Sequence, residues 1–218
     1  MTTTKTTTQA EIRLTGRYSD ALDYARMQHA GQRRKGTQIP YLSHLMGVSS
    51  LVLDHGGDED QAIAGLLHDV IEDCGAQHET AVRERFGERV TCIVLACTDG
   101  TQEDKAAFQT QEAKYADWRR RKLAYLEHLR HTDADALLVS CCDKLHNARA
   151  IVGDLEDPAV GVAVFNRFTA GRDGTLRYYH TLGSIFTARG ALAARALETE
   201  VARMHALTGA AARVGLDE

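Results

Sequence analysis

The sequence predicts an all-α domain of about nine to ten helices, and three observations carry that reading. Only 2 of the 218 residues are proline. The apolar 44% comes mostly from Ala, Leu and Val, aromatics are 6%, and helix-favouring Arg, Glu and Gln stand beside them. Apolar positions recur three and four residues apart, the period of one helix face and not the alternation of a strand.

Residues 1–17 are expected to be a polar, Thr-rich tail. From Tyr18 the spacing turns helical through Ala21, Leu22 and Ala25, with Ser19 as N-cap and an end near Gln32. Arg33-Arg34-Lys35-Gly36-Thr37 then makes a basic loop that closes at Pro40-Tyr41. A helix over 42–55 carries Leu42, Leu45, Val48, Leu51 and Val52 and stops at Gly56-Gly57. Asp58-Glu59-Asp60 places acid where a helix dipole favours it. The helix that follows, over 59–73, holds Ile63, Leu66, Leu67 and Val70 and ends before Gly75. Shorter helices are predicted over 77–86 and 88–97. Residues 99–117 are polar and weakly patterned, which reads as a long flexible loop with some helix. Helices resume over 118–131, 134–153, 158–170, 173–188 and 191–207, the last amphipathic through Leu192, Ala193, Leu197, Val201, Met204 and Leu207. No repeat or linker divides the chain, so 18–190 reads as one domain and 191–218 as a C-terminal helix docking on it.

A net charge of −4 does not favour nucleic acid or acidic membranes as partners. No apolar run approaches the roughly 18 residues of a membrane span. The start, MTTTKTTTQAEIR, has no apolar core of a secretory signal. Five cysteines, at 74, 92, 97, 141 and 142, form no CxxC pair and read as reduced thiols of a cytoplasmic protein. The oligomeric state stays open, a homodimer among the options.

The chemistry concentrates in Leu67-His68-Asp69-Val70-Ile71-Glu72-Asp73. His68 and Glu72 are four apart, as are Asp69 and Asp73, so on a helix each pair stacks one turn above the other. Acids beside Leu67 and Val70 destabilise a core-forming helix unless something compensates, and a divalent metal does, because imidazole plus carboxylate suits first-row metals. His44 lies 24 residues upstream, and Asp143 follows the apolar run Leu137-Leu138-Val139-Ser140-Cys141-Cys142 with Asn147 one turn on. Plainer readings stand beside these. A His-Asp dipeptide is near chance in a chain with 10 His. Asp143 has Lys144 and Arg149 as alternative partners. His29 and His55 read as structural surface or helix-end residues, and Cys141-Cys142 as core. The order His, His-Asp, distant Asp, each on its own helix, favours the joint site.

That order resembles the HD phosphohydrolase superfamily. Gly31-Gln32-Arg33-Arg34-Lys35, Pro40-Tyr41-Leu42-Ser43-His44, the stretch from Leu66 to Asp73 and Asp143-Lys144-Leu145-His146-Asn147 are similar, more narrowly, to the hydrolase domain of the Rel/Spo homologues, over residues 18–190. The resemblance implies an HD-domain helical bundle that removes the 3′-pyrophosphate of guanosine alarmones such as ppGpp. It implies His44, His68, Asp69 and Asp143 as metal ligands, usually for Mn²⁺. Glu72 and Asp73 match the pair that handles the attacking water, Arg34 and Lys35 the basic pair at the nucleotide, and Asn147 the contact to its sugar region. With no room for a following synthetase domain, the chain looks like a stand-alone small alarmone hydrolase. Three departures stand out: a Lys35–Pro40 loop one residue longer, Ala150 where a hydroxyl residue often follows, and an unmatched stretch over 99–122. Its cluster Arg119-Arg120-Arg121-Lys122 is read as a solvated helix face in preference to a phosphate contact. The rival readings are another HD-type nucleotidase or phosphodiesterase, a ppApp-type hydrolase, and a non-catalytic nucleotide sensor.

Overall fold

A computed structural model describes residues 11–98, 110–210 and 213–217. Ten α-helices and one 3-10 helix account for the regular structure of these residues, and the only pairing of extended backbone among them is an isolated bridge between Arg33 and Pro40. The helices are α1 (Gly16–Gln28), α2 (Leu42–Asp54), α3 (Glu59–Leu67), α4 (Val70–Cys74), α5 (His78–Phe86), α6 (Glu88–Cys97), α7 (Gln111–Leu129), α8 (Ala134–Glu156), α9 (Gly171–Ala188) and α10 (Ala194–Leu207), with the 3-10 turn at Gly161–Arg167 between α8 and α9.

α3 is the centre of one half. Every residue from Gln61 to Leu67 is buried, and α1, α2, α6 and α8 surround it. A helix so enclosed has no polar face, which is why its sequence reads Ala-Ile-Ala-Gly-Leu-Leu. α8 joins the halves, contacting α2, α3 and α6 on one side and α9 and α10 on the other. α10 buries Leu197, Val201 and Met204 against α8 and α9. Past it, Leu216 is buried, its N–H donating to Thr181 Oγ1 at 3.0 Å.

α3 starts on a reciprocal cap. Asp58 Oδ1 accepts from the Gln61 N–H at 3.1 Å, and Gln61 Oε1 accepts from the Asp58 N–H at 3.0 Å. Because α3 carries the core, Asp58→Ala is expected to cost about 1 kcal/mol, a fall in Tm of about 2–4 °C for a domain of this size. Thermal unfolding followed by circular dichroism checks this, and an unchanged Tm would mean the cap is replaceable. The ion pair of Asp58 with Arg89 adds little, since both side chains are about half exposed.

The structure moves several predicted boundaries. α1 is capped by Thr15, not Ser19, and ends at Gln28, where the Gln32 N–H turns back to the His29 carbonyl and the Tyr41 N–H takes the Gln32 carbonyl. Gly16 and Arg17 therefore belong to α1, and Arg17 pairs with Glu59 and Asp60 at the start of α3. Residues 1–10 and 99–109, parts of the expected tail and loop, lie outside the described residues. Residues 111–117 are helical, opened by the Thr110 hydroxyl accepting from the Ala113 N–H. The 158–170 segment narrows to the 3-10 turn, which starts at Gly161 with φ +51°.

The single helix expected over 59–73 is broken in two. His68 caps α3 and Asp69 sits at φ −99°, ψ −2°, before α4 begins. The His68 Nδ1–H donates to the Gly65 carbonyl at 2.9 Å, the acceptor a continuing helix would give to the Asp69 N–H. This break turns the His-Asp pair inward.

Candidate metal centre

Three pieces of backbone deliver four side chains to one place. α2 supplies His44, the α3–α4 break supplies His68 and Asp69, and α8 supplies Asp143. One ligand atom each from His44, His68 and Asp69 lie within 4.8 Å of one another. His44 Nε2 is 3.2 Å from Asp143 Oδ1 and 3.7 Å from Asp69 Oδ2. His68 Nε2 is 3.0 Å from Asp69 Oδ2 and 3.6 Å from Asp143 Oδ1. Both imidazoles are almost fully buried, yet neither Nε2 makes a hydrogen bond.

The other ring nitrogens explain how those two are aimed. His68 Nδ1 is occupied by the Gly65 carbonyl, which fixes the tautomer and leaves the Nε2 lone pair free. His44 Nδ1 meets His146 Nδ1 at 2.9 Å, and the same tautomer follows if His44 is the donor. The His146 ring lies against α2 at Gly47, where a Cβ would stand 2.2 Å from its Nε2. The carboxylates are held as well. The Tyr41 hydroxyl donates to Asp69 Oδ2, the Asn147 amide to Asp143 Oδ1 at 2.6 Å, and the Lys144 ammonium to Asp143 Oδ2. Outer partners of this kind orient metal ligands: the Gly65 carbonyl raises the basicity of His68, and the three donors keep the carboxylates ionised.

Electrostatics point the same way. Burial alone raises the Asp69 carboxyl, but the His68 imidazole overcomes it and holds the group below the usual carboxylate range. Burial likewise opposes ionisation of Asp143, and the Lys144 ammonium with both imidazoles keeps it well below. Burial lowers His44, whereas at His68 the two carboxylates outweigh burial and raise it. The buried Asp143 and the partly buried Asp69 thus need positive charge, and a proton on His68 competes with a divalent cation for one lone pair. The donor set of two neutral nitrogens and two carboxylates fits such a cation.

Beside this cluster lies a cavity of about 500 Å³, within the range of small-molecule sites. Arg34 and Lys35 enter from the α1–α2 loop, Lys144 and Asn147 from α8, and Lys122 from α7. Arg34 NH1 donates to Asn147 Oδ1 at 2.9 Å, so a continuous hydrogen-bond chain runs from the loop through Asn147 to Asp143. Burial lowers the Lys35 ammonium. The loop's shape depends on Gly36 at φ +73°, where a Cβ would stand 2.7 Å from Arg167 Cδ. Glu72 and Asp73 are half-buried on α4, and Asp73 Oδ2 accepts from Gln32 Nε2 at 2.7 Å.

The expected solvated face holds at Arg119 and Arg120 and fails at Arg121, which is mostly buried against Asp117, and at Lys122. Arg120 and Arg121 pair with Asp117, and Arg119 donates to the Leu216 carbonyl, but Lys122 lines the cavity, 5.4 Å over the Tyr178 ring. His29 ends α1 as expected but is buried rather than at the surface. His55 caps α2, and Cys141 and Cys142 are core. Lys144 pairs with Asp143, one of the plainer readings of that aspartate, while sequence reasoning gave no role to Tyr41, His146 or Gln32. Tyr41 precedes His44 by three residues and His146 follows Asp143 by three, a spacing that puts each pair on one helix face.

A helical bundle that brings two imidazoles and two carboxylates together in its interior is a divalent-metal-binding domain. The model of the HD domain matches residues 21–176, and the chain belongs to that family. A probable guanosine-3′,5′-bis(diphosphate) 3′-pyrophosphohydrolase of Synechocystis is 35% identical over 56% of this chain and 15% of its own length. The guanosine-3′,5′-bis(diphosphate) 3′-pyrophosphohydrolase MESH1 of Drosophila melanogaster is 34% identical over 61% of this chain and 68% of its own. Among solved structures, a metazoan orthologue of SpoT, described as hydrolysing ppGpp, superposes with a TM-score of 0.65 at 26% identity. It covers 91% of this chain and 99% of its own. The match thus spans a small part of the long relative and about two thirds of the short one. No helix among the described residues is long and apolar enough to cross a membrane.

Proposed function

We propose that this protein hydrolyses the 3′-pyrophosphate of guanosine alarmones, converting ppGpp and pppGpp to GDP and GTP plus pyrophosphate, in the cytoplasm and with Mn²⁺. The observation that carries the reading is the Arg34–Asn147–Asp143 chain, which ties a cation-lined cavity of nucleotide size to the buried His/Asp cluster. The names of the relatives and of the solved neighbour support the same substrate.

In this reading His44, His68, Asp69 and Asp143 hold the cation, kept in place by Tyr41, His146 and Asn147. When bound, it supplies Lewis-acid charge for a phosphoryl oxygen and acidifies water. Glu72 and Asp73 orient the attacking water and take its proton. The P–O bond to the 3′ oxygen breaks, and that oxygen leaves with a proton as the nucleotide's hydroxyl. Arg34 lies flat on the purine, Lys35 meets phosphate charge and Asn147 the sugar region. The test is a screen of Mn²⁺-loaded protein against ppGpp, pppGpp, ppApp and common nucleotides with product identification. Release of pyrophosphate from ppGpp is expected, and its failure refutes the proposal.

Arg34→Lys tests the substrate class. Lysine keeps the charge but neither the planar stack nor the geometry of the bond to Asn147, so ppGpp hydrolysis should fall by about tenfold or more. Bound metal and fold should be unchanged, and a small generic phosphoester should be cleaved equally by both proteins. Undiminished ppGpp hydrolysis would remove the loop from the base-binding edge.

A further inference from the structure

We infer that Gln32 is a positioning residue: its side-chain amide holds Asp73 in the orientation used on the attacking water, and His29 in turn orients that amide. The inference rests on the function proposed above and adds two residues to it. Gln32 is anchored through its own backbone before its side chain does anything. Its N–H donates to the His29 carbonyl at 3.0 Å, and its carbonyl accepts from the Tyr41 N–H at 3.0 Å. From that fixed base the Nε2–H donates to Asp73 Oδ2 at 2.7 Å, while Oε1 meets His29 Nδ1. A glutamine amide can point either way round, but a carboxylate only accepts, so Asp73 takes the NH₂ end. Oε1 then faces His29 Nδ1, which in its N–H tautomer donates to it and holds the amide that way round.

His29 is itself fixed. It is buried, and its ring lies 5.4 Å from that of Tyr41, tilted by 30°. Tyr41 is the residue whose hydroxyl donates to Asp69. The connection between α1 and α2 thus tethers both acidic positions: Asp69 through Tyr41 and Asp73 through Gln32. α4 has only five residues and follows a helix break, so its own backbone constrains Asp73 weakly. A carboxylate that must point at one water needs an outside tether there, because small misplacements of a reacting group carry large rate penalties.

The alternative is that the Gln32–Asp73 bond merely fastens the loop to α4. Gln32→Met, nearly isosteric and at a half-exposed position, separates the two. The expected result is a fall in kcat for ppGpp of about tenfold with KM within about twofold, at unchanged metal content and Tm. On an Asp73→Ala background the same substitution should cost nothing further, because Gln32 then has nothing to position. A lowered Tm with kcat unchanged, or a penalty that persists in full in the double variant, overturns the inference and leaves the proposed hydrolysis standing. If the parent protein releases no pyrophosphate, the proposed function falls first and this inference with it.

Discussion

Asp69→Ala is expected to lose both the bound cation and turnover. Asp69 Oδ2 is the one atom that stands near both imidazole Nε2 atoms and also takes the Tyr41 hydroxyl. Without it, the remaining donors are two imidazoles and a carboxylate already engaged by Asn147 and Lys144. The Tyr41 hydroxyl also loses its acceptor, a buried-donor penalty of about 1–3 kcal/mol on top of the lost ligation. Loss of an outer-shell partner alone costs up to about a hundredfold in affinity or activity, so loss of a ligand should exceed that. Metal analysis of the desalted variant beside initial rates on ppGpp reads both quantities. Normal metal stoichiometry would refute Asp69 as a ligand.

Glu72→Gln should separate metal binding from chemistry. Glu72 lies on α4, four residues past His68 and half-buried, and the amide keeps its shape while removing its ability to take a proton. Bound metal should match the parent and ppGpp should still bind, while turnover falls by about a hundredfold or more, the scale of general acid–base work. Equal turnover would reduce Glu72 to a helix-surface acid. Metal lost together with turnover would make it a ligand instead.

His68, Asp69 and Asp143 were legible because each stands in an otherwise apolar stretch, where an ionisable residue is costly without a shared partner, and His44 because the order His, His-Asp, Asp and the family resemblance it carries include it. The break at His68 was not legible. Apolar spacing continues through Val70 and Ile71 without a phase change, and the bond from the imidazole to the Gly65 carbonyl, which takes the place of the next helical bond, leaves no mark in the sequence. The start of α7 was hidden for a different reason. Its first turns, Gln-Glu-Ala-Lys-Tyr-Ala-Asp, hold few apolar residues and hence little periodic signal. Lys122 was misassigned because four consecutive basic residues point to different sides of one helix. Composition cannot say which of them faces the cavity. Gln32 falls in the same class, since its partner lies 41 residues away.

Gly47 belongs neither to the His/Asp cluster nor to the lining of the cavity beside it, yet it bears on how this site is held. A methyl group there would meet the imidazole of His146, which is the outer partner of His44. That ring can swing aside at modest energetic cost, so the bundle tolerates the change while the orientation of His44 does not. Position 47 therefore carries a requirement that a survey of active-site atoms overlooks. It is a requirement for a missing side chain, sterically coupled to position 146: a methyl at 47 fits without displacing that ring only if the residue at 146 is smaller.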